Sequence, residues 1–150
     1  MVSKFDYYFP AAAQMRRIHL YLPDDYGEST ERYPVLYMFD GHNLYFNEDA
    51  TYGKALGLKD FLDHWHKKLL VVGIECSSDD VQRLHEYCPF HIYSRIYGEV
   101  WGRGDTTLRW ITEDLKPFID RTYLYCQQDG QHNEGSWELQ IPTWMQFLWF

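Results

Sequence analysis

Three cysteines in 150 residues, Cys76, Cys88 and Cys126, are an odd number at wide spacing. That excludes a disulfide framework and the paired spacing of a zinc site, and makes reduced thiols in a cytoplasmic protein the expectation. Cations are scarce as well: 14 Lys and Arg stand against 22 Asp and Glu, a net charge of −8. Phosphate binding needs a cationic surplus, and Arg16–Arg17 and Lys67–Lys68 are too short to form a patch, so no nucleic-acid partner is expected. The acidity serves solubility. No apolar run approaches the ~20 residues of a membrane span. The opening MVSKFDYYFP has no apolar stretch of the secretory kind. Repeats and low-complexity segments are absent.

Aromatics are abundant. Tyr 13, Phe 9 and Trp 6 make 19% of the chain, beside 45% hydrophobic and 24% charged residues. Such a composition excludes generic disorder, and the length suffices for one buried core. The aromatic surplus fits a cleft, but an ordinary core explains it more simply.

From Met15 to Leu22, Ile18, Leu20 and Leu22 alternate onto one face, which predicts a strand, and Pro23 to Gly27 reads as a turn. Tyr33–Phe39 is almost wholly apolar, as in a strand covered on both faces, and Asp40-Gly41-His42-Asn43 stops it. Residues 56–68 place Leu58, Phe61, Leu62 and Trp65 at helical spacing, and Leu69–Ile74 is a second doubly covered strand. Glu75 to about Arg103 reads as a long aromatic loop. Asp105 then caps a helix burying Leu108, Ile111, Leu115 and Phe118, with Pro117 kinking its end. Strand, strand, helix, strand, helix predicts an α/β sheet of mostly parallel strands with flanking helices. Beyond Tyr123 the periodicity stops, and the end, Thr143 to Phe150, is dense in aromatics. The expected organisation is therefore a domain over 1–123 and an aromatic tail over 124–150.

Four segments carry a family likeness. Tyr33-Pro-Val-Leu-Tyr-Met-Phe-Asp-Gly-His-Asn43 resembles the third strand and following loop of the putative esterase family, the α/β-hydrolases similar to esterase D and enterochelin esterase. Val71–Ile74 looks like its next strand. Arg83-Leu-His-Glu-Tyr-Cys-Pro89 is similar to the family's Arg-x-x-Glu-Tyr-x-Pro loop, and Thr112–Tyr123 looks like the helix leading to the nucleophile strand. The likeness covers roughly residues 15 to 123, in the family's order.

The resemblance implies a carboxylic ester hydrolase acting on a small-molecule ester, without cofactor or metal. Such chemistry needs an activated serine, a histidine base, an orienting carboxylate and two oxyanion donors. In this fold one donor N–H follows the serine of Gly-x-Ser-x-Gly and the other lies in the loop after the third strand. By position, the backbone N–H groups of Gly41, His42 and Asn43 match that early donor, and a glycine without Cβ lets backbone approach a substrate oxygen. Asp40, Arg83, Glu86, Tyr87 and Pro89 belong to the family motifs as structural residues.

The later machinery is not in the sequence. Gly-x-Ser-x-Gly is absent, and the nearest string, Glu134-Gly-Ser-Trp-Glu138, lacks the glycines of an elbow. No triad acid or histidine follows in sufficient chain. The expectation is a partial α/β-hydrolase sheet that stops before the nucleophile elbow, its tail consistent with an out-of-frame reading of that region. A non-enzymatic binding module, or a fragment self-associating through an exposed sheet edge, is the competing reading.

Other constellations carry less. His64 and His66 sit two apart, whereas zinc-binding helical pairs sit four apart, so a solvated helix end is the simpler reading. Arg83 and Glu86 are expected to pair with each other, beside His85 and His91 in the long loop. Asp79-Asp80 and Glu113-Asp114 are neighbours and cannot flank a scissile bond. His19 is expected at solvent or a neighbouring strand. Trp101-Gly-Arg-Gly104 follows no expected strand and carries no Walker lysine.

Overall fold

The computed structural model describes residues 1–28, 33–65 and 67–123. The tail over 124–150, with Cys126 and Ser136, and also His66 lie outside the described residues.

The first strand is one the pattern reading passed over. β1 (Val2–Phe9) turns through a short 3-10 segment (Pro10–Ala12) into β2 (Gln14–Tyr21), and Ala13 takes a left-handed φ of 50° to close the turn. β3 (Val35–Phe39) leads through α1 (Leu58–His64) to β4 (Leu70–Ile74). The sheet order is β1-β2-β4-β3. Only β3 and β4 run parallel; β1 with β2 and β2 with β4 are antiparallel. The mixed α/β class is as expected, but the strands described are not mostly parallel, because a hairpin and a reversed central strand occupy one side.

Two layers cover this sheet. Phe9, Ile18, Leu20, Leu70, Val72 and Ile74 pack against Trp110, Ile111, Leu115 and Ile119 on one face. On the other, Tyr21 and Val71 meet Leu44, Tyr45 and Leu62. All five residues of β4 are buried, as a doubly covered strand requires. β3 is only half-buried, and Phe39 is exposed, because among the described residues β3 is an edge.

The covering helices come from α3 (Gly104–Trp110), a π turn (Ile111–Leu115) and α4 (Lys116–Tyr123), which run on without leaving helical backbone angles. Pro117 does not end this rod. A proline lacks an N–H and collides with the carbonyl four residues back, and widening the preceding turn relieves both. The Lys116 N–H accordingly reaches back five residues to Ile111 O. The helix starts at Gly104 rather than with Asp105 as its cap. β1 docks on this rod through aromatic pairs, Tyr7 on Phe118 (4.8 Å between centroids) and Phe9 on Trp110 (4.6 Å), while the Trp110 indole N–H donates to Tyr8 O at 2.9 Å.

The stretch expected as a long loop is instead built. It holds α2 (Asp80–Tyr87) and the hairpin of β5 (His91–Ser94) with β6 (Gly98–Trp101). Asp79 caps α2 by accepting from the Gln82 N–H at 2.8 Å. That acid-x-x-Gln spacing is a readable helix-start signal, passed over because the aromatics that follow α2 gave the whole stretch the look of a loop. Residues 101–104 do follow a strand, β6, so the expectation there was wrong. Gly102 lets the chain lie against the carbonyls of Cys88 and Phe90, where a Cβ would stand 2.3 and 2.4 Å away. The helix expected over 56–68 shrinks to α1 because Gly57 enters it at φ 69° and Trp65 is already extended.

Candidate active site

β3 delivers Asp40 at its C-terminal end. Asp40 takes φ 55° and ψ 45°, the left-handed region, which costs an L-residue about 1–2 kcal/mol. This reversal starts a 3-10 turn over Gly41–Asn43. Within it the Asn43 N–H donates to Asp40 O at 2.8 Å and the Leu44 N–H to Gly41 O at 3.3 Å. The Asn43 N–H is therefore already used. Among the described residues, the Gly41 and His42 N–H groups have no backbone acceptor.

Gly41 is needed here for a reason the sequence could not display. A Cβ on Gly41 would stand 2.5 Å from both the C and the O of Gly73, in the middle of β4. One on Gly73 would stand 3.0 Å from the Gly41 Cα. Two glycines let the turn lie on the strand's backbone, so the missing Cβ serves this contact. The far side of the turn is braced by its own loop: the His42 Nε2 meets Thr51 Oγ1 at 2.9 Å, and the Thr51 N–H donates to Asn43 Oδ1 at 3.0 Å.

The Asp40 carboxylate gathers three groups. Arg83 Nη2 donates to its Oδ2 at 2.8 Å, the Tyr87 hydroxyl to its Oδ1 at 3.4 Å, and the Cys76 thiol also hydrogen-bonds it. Burial alone would raise this carboxyl, but Arg83 and Cys76 outweigh it and hold the group below its ordinary value. The Cys76 thiol is pushed up by burial and by Asp40, so it stays protonated and is not an activated thiolate. The Tyr87 hydroxyl is also raised, chiefly by burial. The Arg83 guanidinium lies 5.0 Å from the Tyr87 ring centroid, and that ring packs 4.7 Å from Phe39.

Arg83 and Glu86 do not pair with each other, contrary to expectation. Glu86 points into the sheet, where its Oε1 accepts from Arg16 Nη2 at 2.6 Å, both side chains about 5% exposed. One helix thus sends Arg83 to the turn and Glu86 to β2. Pro89 is exposed beyond the end of α2. His19 meets the neighbouring strand and not solvent: it is 1% exposed, opposite Gly73 of β4, with Nε2 2.6 Å from Glu75 Oε1. It sits on the central strand beneath the second layer, which a single-strand pattern does not reveal. His85 and His64 donate through Nδ1 to Trp101 O and Asp60 O, the acceptor in each case being a carbonyl. His91 stacks on Trp101 at 3.9 Å. Glu113 and Asp114 are exposed, as are Asp79 and Asp80. A cavity of about 550 Å³ opens between the β1–β2 turn and α2, lined by Gln14, Ser77, Asp79, Gln82, His85 and Arg103 among others; the Gly41–Asn43 turn does not line it. The sequence reading met Arg16 and Cys76 only as a basic pair and a free thiol, and their bonds to Glu86 and Asp40 went unseen because neither lies in a motif. Among the described residues, no helix is long and apolar enough to cross a membrane.

The chain is similar in fold to several solved hydrolases. An IroE-like serine hydrolase from Shewanella oneidensis matches at 22% identity and a TM-score of 0.64, over 82% of this chain and 39% of that one. The siderophore hydrolase EstA from Aspergillus nidulans matches at 18% and 0.57, over 81% and 43%. The enterobactin esterase FES from Shigella flexneri matches at 13% and 0.54, over 82% and 26%. This chain thus spans less than half the length of each. No curated protein matches it. The family model described as "Putative esterase" matches residues 10–132, most of the sequence, and the chain belongs to that esterase family.

Proposed function

We propose that these 150 residues carry the early oxyanion-donor loop of a carboxylic-ester-hydrolase site, and not its nucleophile. The carrying observation is the pair of Gly41 and His42 N–H groups, left without backbone acceptors among the described residues at the C-terminal end of β3. Preorganised N–H donors are what a tetrahedral oxyanion needs. Asn43, the third candidate, spends its N–H inside the turn. Asp40, ionised against Arg83, frames the turn as a charge-balanced cluster with Tyr87 and Cys76, whose hydroxyl and thiol keep their protons. The absence of Gly-x-Ser-x-Gly from the sequence supports catalytic incompleteness. The substrate class of the site is a small-molecule carboxylic ester. Two neighbours in fold, named for siderophore and enterobactin hydrolysis, favour an ester of that kind.

Incubated with p-nitrophenyl acetate and a fluorophosphonate probe, the purified chain is expected to show neither turnover nor labelling. Stoichiometric labelling with turnover would mean that a serine such as Ser136 works without an elbow. In the same sample, titrated methylphosphonate should shift the amide resonances of Gly41 and His42 saturably. Unmoved resonances there would remove the oxyanion assignment.

A second reading has its own observation. β3 pairs only with β4 among the described residues, leaving its other edge open beside the exposed Phe39. Open apolar edges recruit strands, and a second copy of the chain is the simplest donor. Sedimentation over a wide concentration range decides it: a monomer throughout sinks self-association.

A further inference from the structure

We infer that Arg83 is a positioning residue: from α2 it holds Asp40 in the left-handed conformation that starts the Gly41–Asn43 turn, whose Gly41 and His42 N–H groups have no backbone acceptor among the described residues. The purpose of this clamp rests on the oxyanion reading above; its geometry does not.

An L-residue stays left-handed only when its surroundings fix it, and here two of the three groups on its carboxylate, Arg83 and Tyr87, come from one helix, the third being Cys76 just before it. Arg83 Nη2 takes Asp40 Oδ2 at 2.8 Å and the Tyr87 hydroxyl takes Oδ1 at 3.4 Å, so both carboxylate oxygens are held from α2. Tyr87 also packs its ring against Phe39, the residue before Asp40. The clamp thus grips both sides of the reversal. Its base is rigid, because α2 is anchored independently of Asp40. Glu86 is buried against Arg16 of β2 at 2.6 Å, and the carbonyls of His85 and Cys88 accept from the N–H groups of Arg103 and Gly104 at 2.6 and 3.0 Å. Arg83 and Glu86 divide the work: one fastens the helix to the sheet, the other fastens the turn to the helix.

A rival account is that the turn holds itself, through the Asn43 N–H to Asp40 O bond and the tolerance of aspartate for this region. Amide hydrogen exchange on the full chain separates the two. The Arg83 side chain is 38% exposed, so Arg83→Met leaves the core intact. In that variant the Asn43 amide should exchange about tenfold faster relative to the core amides of Leu20 and Val72. Adding Asp40→Gly should return it to within roughly twofold of the parent, since glycine enters the left-handed region unaided. Arg83→Lys should fall between, one ammonium replacing a planar fork. The rescue is the deciding readout: an ion pair that merely adds stability cannot be restored by deleting its second partner. Equal acceleration of Asn43 and the core amides, or a double variant as fast as Arg83→Met, would overturn the inference. The methylphosphonate titration reports separately, so a positioned turn that binds no anion removes only the oxyanion reading.

Discussion

Gly41→Ala is expected to lower stability by about 3 kcal/mol or more, and the melting temperature by roughly 10 °C, because the added methyl has no place to go. The Cβ would sit 2.5 Å from the Gly73 carbonyl carbon and oxygen, atoms of the one strand buried along its whole length. A side chain could rotate away from such a contact. A backbone paired on both edges cannot, and Gly73 pairs with His19 on one side and Met38 on the other. The turn must therefore lift off the sheet, carrying Leu44 out of its cluster with Tyr45 and Leu62. Gly27→Ala is the control: a Cβ there meets nothing within 4 Å, and its effect should stay within about 0.5 kcal/mol. Thermal melts of both variants that coincide would show that the turn is not seated on β4 as described.

Arg16→Met should cost about 3–5 kcal/mol, since it strands the Glu86 carboxylate in the interior with only the Gln82 amide, at 3.3 Å, left to serve it. Replacing both partners, Arg16→Met with Glu86→Leu, should return most of that loss. Two buried ions repay their desolvation poorly, and an apolar pair of similar volume packs beside Phe9, over whose ring the guanidinium now lies at 5.5 Å. Urea unfolding of the two singles and the double closes the cycle. A double variant as unstable as Arg16→Met would mean that the pair orients α2 in a way packing cannot replace. The Gly41–Asn43 turn would then depend on it as well, because Arg83 reaches Asp40 from that same helix.

What the sequence disclosed follows from the range of each signal. β2 and β4 were legible because Ile18, Leu20 and the Leu70–Ile74 run state their burial within a few residues. β1 was legible in principle, since Phe5, Tyr7 and Phe9 alternate toward the helical rod, but Tyr8 breaks the visual pattern. α2 carried a capping signal that its aromatic surroundings hid. The bonds that shape the candidate site were beyond any local pattern. Arg16 and Glu86 lie 70 residues apart and Arg83 lies 43 from Asp40, and nothing in the spacing says which acid each arginine will choose. The family likeness named Asp40, Arg83, Glu86 and Tyr87 together, yet only the fold puts Arg83 and Tyr87 on Asp40 and gives Glu86 to Arg16. Gly41 was singled out by its place in the family loop, and no local pattern could show that it also lies against the backbone of Gly73.

The strand order also sets a timetable for folding. β1 and β2 form a hairpin within the first 21 residues and can pair as soon as they leave the ribosome. β4 joins β2 only afterwards; His19 and Glu75, which meet where it docks, are 56 residues apart. Until then β2, the future centre of the sheet, presents Ile18, Leu20 and Tyr21 along an unpaired edge. Non-local pairing of this kind is slow, and the waiting hairpin is the species in which a nascent chain is most exposed to its neighbours. Yield on refolding should accordingly fall as chain concentration rises, and a chaperone that shields the hairpin should restore it.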